Sequence, residues 1–145
     1  MSAHLLDLHR TLIHEHAHRL VAWSYRVPGS IDITPNPNGG LEETYWKGRF
    51  TMYGRPPSPR AGRLIGLAGA LATMVLEDTE TDEFTAFEDL DLDEGFSDTD
   101  RELVGSYTIA DVRAALQRIR RLWADIVACA DRDQPWALTK GGAPP

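Results

Sequence analysis

The sequence lacks several features that would assign a chain of this length to a class. It has one cysteine, Cys129, so no disulfide framework can form within it. Cys129 lies beside Ile126, Val127 and Ala130 on an apolar helical stripe, a pattern typical of a buried structural thiol. No Gly-x-x-x-x-Gly-Lys-Ser/Thr phosphate loop occurs, so the chain carries no ATP-driven unfoldase of its own.

Positive charge and long hydrophobic runs are also scarce. The chain has 15 Lys and Arg residues against 22 Asp and Glu residues and a net charge of −7, which argues against non-specific binding to nucleic acid or to an anionic membrane. The apolar N-terminal segment contains Asp7, Arg10, Glu15 and Arg19, and no small-residue cleavage site follows it, so we expect it to be neither a membrane span nor a signal peptide. We therefore expect a cytoplasmic protein, and 145 residues fit one domain with a single core.

The strongest positive signal is the His-Glu-x-x-His motif that begins at His14, in a segment that predicts a helix over residues 3–23. Residues four apart on a helix lie on one face, about 6 Å apart, so His14 and His18 can bind one metal ion. Glu15 is rotated by about 100° from His14, which places its carboxylate beside the metal. There it can act as general base on a metal-activated water, so the motif predicts a zinc peptidase.

Three further histidines, His4, His9 and His16, support an alternative in which this helix simply carries many satisfied surface histidines. At about 100° per residue, His9 lies about 140° and His16 about 200° round the helix from His14. We therefore expect neither of them to face the same metal ion.

A catalytic zinc ion needs three protein ligands and one open position, so one ligand must come from outside the motif helix. The candidates are later carboxylates: Glu77, Asp93, Glu94, Asp98 and Asp100. Ser97 predicts a helix N-cap that holds Asp100 rigidly in the first turn, so we favour Asp100, with Glu77 at the end of a buried helix as the alternative. A third interpretation gives the Asp100 carboxylate only a capping role near the helix dipole.

The remaining pattern predicts an α+β protein that is mainly α, with a small β-hairpin and a helical C-terminal half. Ile31 and Ile33 alternate with polar residues, a turn-forming segment covers residues 35–40, and a strand over residues 44–53 carries Trp46, Phe50 and Met52 on one face. Helices are predicted over residues 60–76, after Ser97, and from residue 108 to about 132.

Acidic residues are concentrated between residues 77 and 102, which predicts a solvated surface loop with room for a short helix around Phe84 and Phe87. After residue 132 the chain ends in Gly-Gly-Ala-Pro-Pro, which predicts a disordered tail. The expected organisation is thus one domain over residues 1–132 and a tail over residues 133–145.

Together these motifs resemble a known family. The His-Glu-x-x-His helix, the segment Ile31-Asp32-Ile33-Thr34-Pro35 before a Gly-Gly turn, the helix with Leu67-Ala68-Gly69 and an Asp early in a later helix resemble the peptidase domain of the FtsH-type AAA proteases, the M41 peptidases. The pattern is most similar to small stand-alone M41-like proteins of phages and actinobacteria, in which Ser-x-x-Asp precedes the final helices. The resemblance spans residues 11–132 and covers most of the chain.

The resemblance implies a zincin-like fold in which His14, His18 and Asp100 bind Zn²⁺ and Glu15 is the catalytic base. Because the chain has no unfoldase, we expect the substrate to be a peptide or a protein segment that is exposed or already unfolded. The strand over residues 44–53 lies between the motif helix and the buried helix in the sequence, which motivates the hypothesis that an extended substrate adds to its edge as a further strand. The alternative function is a catalytically idle regulator on the same scaffold, whose acidic segment binds a basic partner. Replacing Glu15 by Gln distinguishes the two, because only a peptidase would lose turnover.

Overall fold

The computed structural model describes residues 3–37, 45–92 and 96–141, the last four of these as backbone only. Along these residues lie helix α1 (Ala3–Ser24), strands β1 (Gly29–Pro35) and β2 (Trp46–Met52), and helices α2 (Pro59–Glu77), α3 (Glu83–Leu92), α4 (Asp98–Val104) and α5 (Ile109–Gly141). The predicted α+β fold, mainly α, is confirmed. None of the described helices is both long and apolar enough to cross a membrane.

The core lies where α1, α2 and α5 pack against one another. Helix α2 is the central element, because it is buried round nearly its whole circumference over residues 61–73. It begins at the N-cap Ser58, whose side chain accepts a hydrogen bond from the Ala61 N–H, with Pro59 in the first turn. Small residues in α2 let the neighbouring backbones approach closely, and this approach forms the site described below.

Strands β1 and β2 form an antiparallel hairpin in which Gly29 pairs with Met52 and Pro35 with Trp46. Trp46 is buried and Phe50 and Met52 are half-buried, while the intervening residues 47, 49 and 51 are exposed. The predicted apolar face of this strand is therefore confirmed, and it packs against α1. The Gly-Gly turn expected at residues 39–40 lies outside the described residues.

The acidic segment is more helical than the sequence predicted. Helix α3 extends through Leu92 because Ala86 and Leu90, four residues apart, are both buried. The Asp82 carboxylate accepts a hydrogen bond from the Thr85 N–H and satisfies one of the first-turn donors. Part of the expected surface loop is thus a helix with an exposed acidic face.

Helix α5 does not stop near Arg132, where the sequence placed the end of the domain, but continues to Gly141. Two contacts hold this extension against the rest of the molecule: Asp133 lies 2.7 Å from the buried His16 of α1, and Ala137 is completely buried. The packed part of the chain therefore includes residues that composition alone assigned to a tail.

Candidate metal centre

Three side chains from two helices meet between α1 and α4. His14 and His18 lie one turn apart on α1, and their Nε2 atoms are 3.2 Å apart. The Oδ2 atom of Asp100, in the first turn of α4, is 3.5 Å from the His14 Nε2 and 3.3 Å from the His18 Nε2. Among the described residues this is the one group of three or more His, Cys, Asp or Glu side chains placed to hold a metal ion.

The size of this triangle fits a tetrahedral zinc site. Zinc bonds are about 2.0–2.1 Å long to His nitrogen and about 2.0–2.2 Å long to carboxylate oxygen. The edge of the tetrahedron is about 1.63 times the bond length, which gives about 3.3–3.6 Å. The three observed separations of 3.2, 3.3 and 3.5 Å match that edge. The two histidines and the aspartate are thus spaced as three corners of a tetrahedron, which leaves the fourth corner open.

A backbone carbonyl fixes the orientation of the His18 ring. The His18 Nδ1 lies 2.7 Å from the Ile65 carbonyl oxygen, and because a carbonyl can only accept, Nδ1 carries the proton. In the neutral ring the lone pair is then on Nε2, the atom that faces His14 and Asp100. On its other side the His18 ring stacks on Phe50 of β2, with centroids 5.9 Å apart and planes inclined by 10°.

The helix cap fixes the backbone of Asp100 and does not use its carboxylate. The Asp100 N–H donates to the Ser97 Oγ at 3.0 Å, as the predicted cap requires, while the carboxylate turns toward the two histidines. Of the other proposed ligands, Glu77 is more than half exposed and pairs with Arg10, and Asp98 is exposed. Asp93 and Glu94 lie outside the described residues.

Two glycines leave the space that His14, His18 and Asp100 occupy. A Cβ atom at Gly69 would lie 2.4 Å from the His18 Nε2 and 2.5 Å from the His14 Nε2, so no other residue fits there without displacing both imidazoles. A Cβ at Gly66 would lie 2.5 Å from Val104 and 3.4 Å from the Asp100 carbonyl oxygen, so this glycine lets α4 approach α2. The sequence pattern predicted this helix but did not indicate that its glycines shape the site.

Glu15 occupies the position expected of a general base. Its Oε1 atom is 3.5 Å from the His14 Nε2. Its Oε2 atom is buried and has no hydrogen-bond partner among the described residues, although a buried carboxylate oxygen normally has one. Gly48 of β2 makes room for this side chain, because a Cβ there would lie 2.6 Å from the Glu15 Cγ.

The charges at the site favour a cation. Burial alone would lower the pKa of His18, but its hydrogen bond to Asp100 and the charges of Asp100 and Glu15 raise that pKa to about 9. Burial opposes ionisation of Asp100, yet its hydrogen bonds to His14 and His18 and their charges hold its pKa well below the usual range. In the metal-free protein the Asp100 carboxylate is therefore ionised and favours a positive charge on His18, and a divalent cation would replace that charge.

The remaining histidines lie away from this centre, as the helical geometry predicted. His16 is buried on the opposite face of α1, where its Nδ1 accepts a hydrogen bond from the Arg19 Nε at 3.1 Å and its Nε2 donates to Asp133 at 2.7 Å. Arg19 also donates to the sulfur of Cys129 at 3.3 Å, so the thiol is half-buried beside a cation and not enclosed in apolar surroundings. His9 pairs with Asp131 at 3.4 Å.

Comparison of the chain with known protein families and with curated proteins finds no match. The function is therefore inferred from the geometry and chemistry of the site.

Proposed function

We propose that this protein is a zinc-dependent metallopeptidase in which His14, His18 and Asp100 bind the zinc ion and Glu15 is the general base. The observation that carries the proposal is the tetrahedral spacing of the three ligand atoms beside the unpartnered carboxylate oxygen of Glu15. Two neutral histidines and one carboxylate form a donor set that suits catalytic zinc. We expect the protein to act in the cytoplasm, where a chain with one cysteine needs no disulfide.

Each side chain has a role in this proposal. Bound at this site, zinc supplies Lewis-acid chemistry, which activates water and polarises a peptide carbonyl. Glu15 accepts a proton from the attacking water through its free Oε2 and returns it to the leaving amine. The Ile65 carbonyl and the Ser97 cap hold His18 and Asp100 in place, so that neither ligand has to reorganise when a metal binds.

The outer edge of β2 is the proposed site for the substrate backbone. The Tyr45 carbonyl accepts from the Asn36 N–H and the Tyr53 N–H donates to the Pro28 carbonyl, so the odd-numbered residues of β2 pair with β1. The even-numbered residues direct their N–H and C=O groups outward. At Trp46 the outward N–H is taken by the Asp7 carboxylate at 3.0 Å.

Beyond that point the edge is open. The outward backbone groups of Gly48, Phe50 and Met52 form no hydrogen bond with the residues that the structure describes. Gly48 adjoins Glu15 and Phe50 adjoins His18, so an extended peptide paired with this edge would pass beside the catalytic groups. Peptides N-methylated at single positions test this arrangement: cleavage should be lost at alternate positions only, and uniform tolerance of methylation would exclude strand pairing.

Metal content is the first test of the proposal. Elemental mass spectrometry of the purified wild type should give roughly one zinc per chain, and the Asp100→Asn variant should bind much less. Asp98→Asn is the matched control, because Asp98 lies in the same helical turn but is exposed. Full zinc retention by Asp100→Asn would remove Asp100 from the ligand set, and a wild type that binds no added zinc would refute the metal site.

Turnover is the second test, and it separates the peptidase from the idle regulator. Glu15→Gln should keep its zinc and lose nearly all cleavage of unfolded proteins and peptides, by about 10²-fold or more. A zinc-loaded wild type that cuts no peptide in a diverse library, and that behaves in all respects like Glu15→Gln, would favour the regulator.

A further inference from the structure

A groove of about 490 Å³ lies between the start of α2 and the end of α4. One wall is the proline-rich loop over residues 55–59, and the other is formed by residues 102–105 at the end of α4. Gly62 of α2 lines it between these walls: a Cβ added there would lie 3.5 Å from the Pro56 Cγ and 3.7 Å from the Leu103 Cδ1, both ordinary contact distances. The groove can therefore be narrowed by one methyl group without a clash.

The groove and the metal centre share one face of α2. Gly62, Gly66 and Gly69 follow each other at intervals of four and three residues, so they lie along the same side of the helix. Gly69 contacts the two histidines and Gly62 lines the groove. At 1.5 Å per residue, seven residues separate the two places by about 10 Å, which is the length of about three residues of extended peptide.

Strand β2 leads in the same direction. It passes Glu15 at Gly48 and His18 at Phe50, and three residues after its end at Met52 the chain enters the groove wall at Arg55. A peptide paired with the open edge of β2 would thus extend from the metal centre toward the groove.

The lining shows which side chains would fit. Pro56, Leu103 and Val104 provide apolar contact. Arg55 forms no ion pair with any described residue, whereas Arg63 is held by Asp111 at 3.1 Å. Glu102 lies on the opposite wall, so the groove has an apolar interior between a free cation and a carboxylate.

We propose that this groove is a specificity pocket that takes a bulky apolar side chain of a bound polypeptide, three to four residues from the metal centre, together with an adjacent acidic side chain that pairs with Arg55. The inference rests on the proposed function, because it requires a peptide on the edge of β2. The substrates would be polypeptide segments in which a large apolar residue stands beside Asp or Glu.

Binding tests this inference separately from catalysis. The probe is a library of short peptides selected on zinc-loaded Glu15→Gln protein, followed by fluorescence anisotropy of the selected peptides. We expect an apolar residue next to an acidic one, with binding weakened about tenfold when the apolar residue is replaced by Gly. The variant Gly62→Ala should weaken binding of the bulky residue and spare a peptide with Ala at that position.

A charge exchange provides the sharpest comparison. Arg55→Glu should weaken binding of the acidic peptide about fivefold, and changing the acidic residue of the peptide to Lys should restore it. Arg121→Glu is the matched control, since Arg121 is an exposed arginine of α5 outside the groove. No selected peptide, or affinities that Arg55→Glu and Gly62→Ala leave unchanged, would overturn the pocket. Failure of the wild type to cleave peptides that bind in this way would instead refute the peptidase.

Discussion

His16 and His18 lie two residues apart on one helix and are both almost completely buried, yet their surroundings have opposite effects. The pKa of His18 is raised to about 9, because the carboxylates of Asp100 and Glu15 outweigh the effect of burial. The pKa of His16 is lowered to about 4, because burial and the Arg19 guanidinium outweigh the hydrogen bond to Asp133. One face of α1 therefore attracts a cation, and the other holds a neutral imidazole as a structural hydrogen-bonding group.

The largest effect that this comparison predicts is on zinc binding. His18→Ala removes a proposed ligand and should reduce bound zinc from roughly one per chain to near none, whereas His16→Gln should keep it, since His16 faces α5. Elemental analysis after dialysis against trace zinc measures both. Equal zinc loss in the two variants, with both still folded by circular dichroism, would contradict the division between the two faces.

The next prediction concerns Gly69, which lies against His14 and His18 on the metal face of α1. Gly69→Ala places a methyl group less than 3 Å from the Nε2 atoms of His14 and His18. It should lower zinc affinity by about 10²-fold, at least as much as removing a residue that hydrogen-bonds to a metal ligand. Gly62→Ala, seven residues earlier on the same face of α2, adds its methyl at ordinary contact distance and should leave the affinity unchanged. Competition with a fluorescent zinc chelator measures both, and equal affinities would show that the imidazoles can move aside.

His16 and His18 should also give opposite pH dependences of the free energy of unfolding. In zinc-free protein the pKa of His18 in the folded state, about 9, exceeds the ordinary value of 6.5. The stabilisation that protonated His18 gives the folded state is therefore complete below pH 6.5 and is lost as the pH rises to 9. The folded pKa of His16, about 4, lies below that value, so stability falls as the pH drops from 6.5 to 4. Each change should be about 3 kcal/mol at most.

Urea denaturation with a chelator at several pH values measures these changes. His16→Gln should flatten only the acid side of the profile, and saturating zinc should flatten the alkaline side, because a metal-bound His18 no longer takes up the proton. A His16→Gln profile that matches the wild type below pH 6.5 would show that His16 is not the cause of the acid instability.

The smallest effect concerns the face of α1 that carries His16. Asp133→Ala leaves the His16 Nε2–H without its acceptor and should lower the free energy of unfolding by about 1–2 kcal/mol, with no change in zinc affinity. Asp131→Ala is the matched control, since the Asp131 side chain is 64% exposed and pairs with His9 at the surface, so it should cost under about 0.5 kcal/mol. A loss of zinc in Asp133→Ala would show that the two faces are coupled.

The parts of the site that could be predicted are those set by local geometry. Four-residue spacing on a helix puts His14 and His18 side by side whatever the rest of the fold does, and the Ser97 cap fixes the backbone of Asp100. The same periodicity excluded His9 and His16. The strand pattern identified the face of β2 that packs on α1 because that pattern is also local.

The parts that could not be predicted depend on distant contacts. Nothing local to Gly69 or Gly48 shows that one lies against two imidazoles and the other against Glu15. Helix α5 passes the expected boundary because Asp133 meets His16, 117 residues away. In α3 the acidic composition concealed two buried residues at helical spacing, and burial of Ala86 and Leu90 outweighed the polarity of their neighbours.

The open edge of β2 also has a consequence for the protein at high concentration. An unpaired strand edge is a template for any other strand, including the same strand of a second molecule, and can begin aggregation. Lys47 and Arg49 are exposed on this strand, so two copies joined edge to edge would bring like charges together in a chain that is otherwise strongly acidic. These two cations therefore oppose self-pairing of the edge while leaving it accessible to a foreign polypeptide of neutral or negative charge.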